Sequence, residues 1–387
     1  MKGPLTESRP QMKWVNIIFF AFTMLVTLIG VPLYILKVGM PPPVILALTI
    51  FYAVATGMSI TVGYHRLFAH STFKANPVIE FILLFFGAAA FEQTALRWAS
   101  QHRDHHRYVD TDQDPYSIKK GFFYAHIGWL IFWVHPLRLE NSLDLQKNKL
   151  LMHQHKYYLL WCIGSGVLLP TLLGALCGHA LAAFIFAVCA RLVFVHHSTF
   201  CINSVCHMFG KATYDIYATA RDHWFVAFLT NGEGYHNFHH RFPGDYRNGV
   251  RWYQWDPSKW MISFLASIRL VSDLKKVSPF RILEAKLRAD QQRVRDWLTQ
   301  GNEASRWERL CTDVEAHYKI LHERLHDWEA KSREYRRLVY GRIQEHSQAI
   351  KTCTQQEEAV SRGKFQLALG NWQLLIKSNA RLASLVF

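Results

Sequence analysis

The chain has 387 residues, half of them hydrophobic and 14% aromatic, enough for one large domain or two. Its seven cysteines, Cys162, Cys177, Cys189, Cys201, Cys206, Cys311 and Cys353, are odd in number and scattered, which excludes a disulfide framework and implies reduced thiols. The formal net charge of +15 accompanies long apolar runs, so it is read as a basic face toward anionic lipid headgroups or a phosphate-bearing substrate, not as a nucleic-acid surface.

Residues 14–36 and 43–64 form two apolar runs, each close to the ~20 residues a helix needs to cross a ~30 Å hydrocarbon core. The first is too long for a cleaved leader and has no small-residue cleavage site, so it is expected to stay as an anchor. Residues 78–95 are apolar but include Glu80 and Glu92, and a crossing here would move the following motifs to the other side. This run therefore reads as an interfacial or re-entrant helix. Residues 158–177 and 180–195 give a second pair of spans with a tight connection at Gly178 and His179. Lysine and arginine collect before the first span and between the two pairs, which sets both hairpins dipping into the membrane from the cytoplasm. Arg191, near the cytoplasmic end of its span, is expected to snorkel there. The expected fold is an all-α integral membrane protein: four transmembrane helices in two hairpins with a cytoplasmic helical cap.

Three histidine groups lie on that face: His65 and His70; His102, His105 and His106; and His236, His239 and His240. Spacings of three and four place side chains on one helical face, so each group can aim two or three imidazoles at one point. A lone histidine at a membrane surface is usually solvated, but eight at these spacings exceed what one metal ion takes, and two metals fit better. Imidazole serves iron, zinc and copper alike. A structural zinc site favours cysteines, and a zinc hydrolase pairs three ligands with a carboxylate base. Neither pattern is present, so a redox pair of irons that binds O2 is the expectation, with zinc able to fill the same site in a preparation.

These groups, together with Gly121-Phe-Phe, His126-Ile-Gly-Trp129, Asn203-Ser-Val-Cys-His207, Gly232-Glu-Gly-Tyr-His236 and Phe242-Pro, resemble the membrane fatty acid desaturase family, in its acyl-CoA delta-9 (stearoyl-CoA type) branch. The resemblance runs from about residue 49 to 276. It implies metal ligands at His65, His70, His102, His105, His106, His207, His236, His239 and His240, with Asn203 acting through a water. It also implies a bent acyl tunnel, with Trp98, Thr199 and Phe200 around the bend and the small residues Ala53 and Gly57 near its closed end. The activity implied is O2-dependent removal of hydrogens from carbons 9 and 10 of a saturated acyl group. Lys119 and Lys120 are candidate contacts for thioester phosphates, although Ser100-Gln101 departs from the pattern of animal acyl-CoA members and leaves CoA, acyl carrier protein or an intact lipid open as carrier. The sequence shows neither a His-Pro-Gly-Gly haem signature nor a cysteine cluster, so a separate electron donor is implied, a ferredoxin or cytochrome b5 with its reductase. His126, His196 and His197 read as orienting partners of ligands or as interfacial residues.

The desaturase-like domain is expected over residues 1–277, followed by a polar helical extension over 278–387. In the extension Trp307, Val314, Tyr318, Leu321, Leu325, Trp328, Tyr335 and Val339 recur at helical spacings. Breaks at Thr299-Gln-Gly-Asn302 and Ser361-Arg-Gly-Lys364 predict three helices. His317, His322, His326 and His346 read as a solvated face. Rival functions are a histidine-rich di-iron lipid or alkane hydroxylase and a non-enzymatic membrane metal transporter or sensor. A bacterial inner membrane is the expected location ahead of an endoplasmic reticulum.

Overall fold

The computed structural model describes residues 9–134, 137–299, 304–340 and 348–378. Gly301, Asn302 and His346 fall outside them, as do the side chains of Trp307 and Cys311. Helices α1 (Trp14–Val38) and α2 (Pro43–Ala69) form a first pair, α3 (Pro77–Ala88) and α4 (Ala95–Tyr108) follow, and α5 (Tyr158–Leu176) and α6 (Ala180–His207) form a second pair. A short helix, α7 (His236–Arg241), carries the third histidine group. The helices α1, α2, α5 and α6 are long and apolar enough to cross a membrane. Val15, Leu28, Leu36, Ile50, Leu159 and Leu176 on these helices are exposed, as lipid-facing side chains should be.

Two spans run past their expected ends, α2 to Ala69 instead of residue 64 and α6 to His207 instead of residue 195. Helical backbone satisfies its own polar groups, and a polar side chain of the α2 extension has a buried partner, Arg66 Nη2 donating to Glu233 Oε1 at 2.9 Å. From Ser59 to Ala69 the winding is π-helical, and the His70 amide closes it on the His65 carbonyl at 3.0 Å. The segment expected to be interfacial forms α3, whose twelve residues rise only ~18 Å. Asn76 caps its start, its side chain accepting from the Ile79 amide at 2.9 Å. Left-handed backbone at Phe91 and Gln93 reverses the chain, and Thr94 then caps α4 by accepting from the Arg97 amide at 3.2 Å.

Arg191 does not snorkel. It is buried at 1% exposure, and its guanidinium donates to the carbonyls of Ala89, Gly166 and Ala187. Three backbone acceptors inside the protein replace water, which a rigid five-donor fork can exploit. Two short antiparallel ladders accompany the helices of this all-α fold: Arg9–Pro10 pairs with Trp133–Val134, and Lys74–Ala75 pairs with Val271–Ser272.

The chain divides into two compact units, residues 1–212 with 218–276 and residues 213–217 with 277–387. The second holds α8 (Pro279–Thr299), α9 (Ala304–Tyr340) and α10 (Gln348–Lys377) around a core of Leu287, Val294, Val314, Leu321, Phe365 and Trp372. The expected break at residues 361–364 is absent, and these residues lie inside α10. A helical glycine costs only about 1 kcal/mol. Here the neighbouring Phe365 is anchored in the core, and the buried Ser361 hydroxyl donates to Asp327, which outweighs the local preference.

Candidate metal centre

The sequence brings histidines to one place by three devices. On α4, Trp98, His102, His105 and His106 follow a helical face. On α7, His236, His239 and His240 repeat this over a little more than one turn. On α2, the π-helical winding carries the five-residue step from His65 to His70 through about one turn, so their ring centroids lie 4.8 Å apart.

The histidines then separate into two groups. One holds His65, His70, His102, His106 and His239, the other His105, His207, His236 and His240, and within each group the candidate ligand atoms lie within 4.8 Å of one another. Each motif aims two imidazoles at one point, His65 with His70, His102 with His106, and His236 with His240, while His105 and His239 go to the opposite group from their motif partners. The adjacent histidines 105 and 106 diverge to different groups, as do 239 and 240, because neighbours on a helix point ~100° apart. The α4 and α7 helices therefore each serve both groups.

The contacts themselves point to cations. His239 Nε2 lies 2.9 Å from His65 Nε2 and 2.8 Å from His106 Nε2, and His236 Nε2 lies 3.0 Å from both His207 Nε2 and His240 Nε2. An imidazole Nε2 offers one proton or one lone pair, so it cannot satisfy two such neighbours by hydrogen bonding. Nitrogens ligating one metal at about 2.1 Å stand roughly 3 Å apart, so the donor set fits a metal ion in each group. Burial first, then the neighbouring imidazoles, pushes His70, His102, His106, His236, His239 and His240 well below the usual histidine range. They are neutral near pH 7 and hold a free lone pair for a metal.

Several outer partners fix which nitrogen carries the ring proton. Asp114 Oδ1 is 2.8 Å from His105 Nδ1, Glu233 Oε2 is 2.7 Å from His65 Nδ1, and Tyr116 Oη is 3.3 Å from His102 Nδ1. His207 Nδ1 lies 2.7 Å from Thr219 Oγ1, which itself donates to Asp110 at 2.6 Å. Protons held at Nδ1 leave Nε2 to face the metal. Sequence reasoning missed these partners. The available signal was the acidic run Asp110, Asp112 and Asp114 just after the second histidine group. We expect Asp114→Ala to weaken metal retention about 10–100-fold, read by the rate at which a chelator strips bound metal from the purified protein.

The expected orienting histidines behave differently. His126 bonds Ser204 Oγ through Nδ1 at 2.9 Å and His197 through Nε2 at 3.0 Å, while His196 Nε2 donates to the Ala90 carbonyl at 2.6 Å. They brace α6 and its neighbours.

Beside both groups lies a cavity of about 350 Å³, within the usual range for ligand sites. Ala53, Gly57, Trp98, Thr199, Phe200 and Asn203, all singled out from the sequence, line it. So do His65 and His102 of one group and His236 of the other. Glu92, unforeseen, links the wall: it accepts from Trp98 Nε1 at 3.4 Å and bonds Thr199, while burial outweighs both bonds and pushes its carboxyl up to about 7. Lys119 and Lys120 do not line this cavity. Their ammonium groups donate to the carbonyls of Asp110 at 2.6 Å and Asp112 at 3.4 Å, holding the acidic loop.

The profile of the family described as "Fatty acid desaturase" matches residues 41–262. The chain is 45% identical to the "Probable acyl-CoA desaturase" of Schizosaccharomyces pombe over 226 residues, 58% of this chain and 47% of that protein. It is 37% identical to "Acyl-CoA desaturase 1" of Saccharomyces cerevisiae over 272 residues, 69% of this chain and 52% of that protein. It is 36% identical to "Stearoyl-CoA desaturase 4" of Mus musculus over 282 residues, 70% of this chain and 77% of that protein. The chain thus spans about half the length of the two fungal relatives. All three relatives are eukaryotic, so the expected bacterial inner membrane finds no support.

Proposed function

Because the chain belongs to the fatty acid desaturase family, we propose that it introduces a cis double bond at carbon 9 of a saturated long-chain acyl group carried by CoA, at a pair of irons in a multi-pass membrane protein. The observation that carries this reading is the single cavity that touches both histidine groups and is walled by Trp98, Thr199 and Phe200. Two irons, with His65, His70, His102, His106 and His239 on one and His105, His207, His236 and His240 on the other, and Asn203 reaching one through water, would supply the O2 chemistry. The balance is one acyl chain, one O2, two electrons and two protons giving one alkene and two waters.

The chain's own residues do the rest. The apolar wall takes the acyl chain and excludes water from the reacting carbons. Trp98, its ring stacked on His102 at 4.9 Å, holds the bend against the centre, and Glu92, neutral below about pH 7, ties the bend together without placing a charge in an apolar channel. Outer partners keep the ring protons of His65, His102, His105 and His207 on Nδ1. Lys119 and Lys120, exposed beside the acidic loop, are our proposed contacts for the carrier's phosphates. A separate ferredoxin or cytochrome b5 with its reductase delivers electrons at a basic cytoplasmic face. The catalytic part is residues 1–277, with 278–387 as an extension.

Ala53 and Gly57, one turn apart on α2, stand at the closed end of the tunnel in this reading. Ala53→Trp then shortens the preferred acyl chain below stearoyl, read as product yield across a chain-length series; an unchanged preference would place Ala53 elsewhere along the wall. The reading as a whole is tested by fatty-acid profiling of a desaturase-deficient host that expresses the wild type or His105→Ala, with the double bond located by mass spectrometry. Delta-9 monoenes in the wild type alone support it. Hydroxylated lipids in place of monoenes would keep the metal centre and overturn desaturation.

A further inference from the structure

The second unit carries a constellation that the desaturase chemistry does not use. Glu284 on α8 faces His322 and His326, which stand one turn apart on α9. His322 Nε2 is 3.3 Å from Glu284 Oε1, His326 Nε2 is 3.9 Å from the same oxygen, and the two Nε2 atoms are 3.2 Å apart. One carboxylate oxygen and two imidazole nitrogens thus form a small triangle. The sequence alone had suggested a solvated helix face for these histidines.

Hydrogen bonding leaves the triangle underfilled, because a single N–H at His322 would have to be shared between Glu284 Oε1 and His326 Nε2. If His322 Nε2 carries a proton and donates it to Glu284, that nitrogen has no lone pair left for His326. If it carries a lone pair instead, it faces the carboxylate oxygen without a proton between them. A cation in front of the three atoms removes the conflict, since each then presents a lone pair. Tetrahedral ligands at about 2.0–2.2 Å from zinc stand roughly 3.3–3.6 Å apart, which is close to two sides of the triangle, and a small turn of the exposed His326 ring shortens the third from 3.9 Å.

The site is also held in place by the fold. Each ligand adjoins a core anchor: Glu284 stands beside the buried Ala285, His322 beside Leu321 and His326 beside Leu325. Glu284 and His322 are partly buried and His326 is exposed, so solvent can supply a metal and a fourth ligand. Tyr318, one turn before His322, bonds Arg288 on α8.

We propose that Glu284, His322 and His326 bind a divalent zinc ion that staples α8 to α9, with water completing the shell. Two histidines and one carboxylate with an open position are a donor set that zinc takes. The ion closes the 38-residue separation between Glu284 and His322, so it stabilises the second unit and leaves the nine-histidine centre untouched.

The test uses the full-length, tag-free, iron-loaded protein in detergent, dialysed against zinc chloride and analysed for metal. The wild type takes up one zinc equivalent more than His322→Ala/His326→Ala. Its thermal transition rises with zinc, and that of the double variant does not. Glu284→Gln binds at least about tenfold more weakly. His317→Ala, exposed on the same helix and bonded to its own backbone at Asp313, keeps the extra equivalent. Unchanged iron content and helical content in the variants exclude a folding failure. Equal zinc uptake by wild type and both site variants would overturn the proposal.

Discussion

His239→Ala is expected to release the metal of the five-histidine group and to lower double-bond formation by at least about 1,000-fold, the several kcal/mol a metal centre contributes to its reaction. His239 Nε2 is within 3 Å of both His65 Nε2 and His106 Nε2, so it joins ligands from α2 and α4. Its loss leaves a gap at the middle of that group, whereas the four imidazoles of the other group keep all their mutual contacts. His240→Ala makes the opposite change, because His240 Nε2 lies 3.0 Å from His236 Nε2 and 3.3 Å from His105 Nε2. Each variant should therefore lose its own metal and nearly all activity. Metal analysis beside product yield reads both effects. Full activity in either variant would remove that histidine from the centre.

Arg66→Met is expected to cost about 3–5 kcal/mol of stability, the range for breaking a buried ion pair from one side. Arg66 is 1% exposed and donates to Glu233 Oε1 at 2.9 and 3.1 Å, to Asp256 at 3.0 and 3.2 Å, and to the Tyr246 carbonyl at 2.8 Å. Without the guanidinium, two carboxylates stay buried with no cation between them. The damage reaches the metal centre, because the other oxygen of Glu233 lies 2.7 Å from His65 Nδ1. Arg66→Lys should fare little better, since one ammonium cannot fork across two carboxylates. Thermal unfolding in detergent, followed alongside iron retention, checks both consequences. Triple replacement Arg66→Met/Glu233→Gln/Asp256→Asn should unfold less readily than Arg66→Met alone, because no uncompensated charge then remains.

Much of this was legible in the residues. Four long apolar runs follow from hydropathy, eight histidines from their spacing and His207 from the family resemblance, and the structure gathers all nine into the two groups. Other features depend on packing that spacing does not encode. The step of five between His65 and His70 fits one face only because α2 winds as a π-helix, and that winding is set by its buried surroundings. The divergence of neighbouring histidines on α4 and α7 needs the mutual placement of three helices. Arg191 looked like a snorkelling residue because its three carbonyl acceptors come from Ala89, Gly166 and Ala187, two of them distant in sequence. Glu92 and Asp114 are ordinary acidic residues until their partners across the fold are known. In the extension, the tail histidines gain a meaning only from Glu284, which lies on another helix.

The central claim is that two separate histidine groups each hold an iron used for desaturation, and its most direct test is the iron content per chain of purified wild type, His239→Ala and His240→Ala, with acyl-CoA turnover measured on the same samples. The account predicts two irons with delta-9 product for the wild type, and about one iron with no product for each variant. One iron or none in a wild type that still desaturates, or two irons retained in both variants, would contradict it.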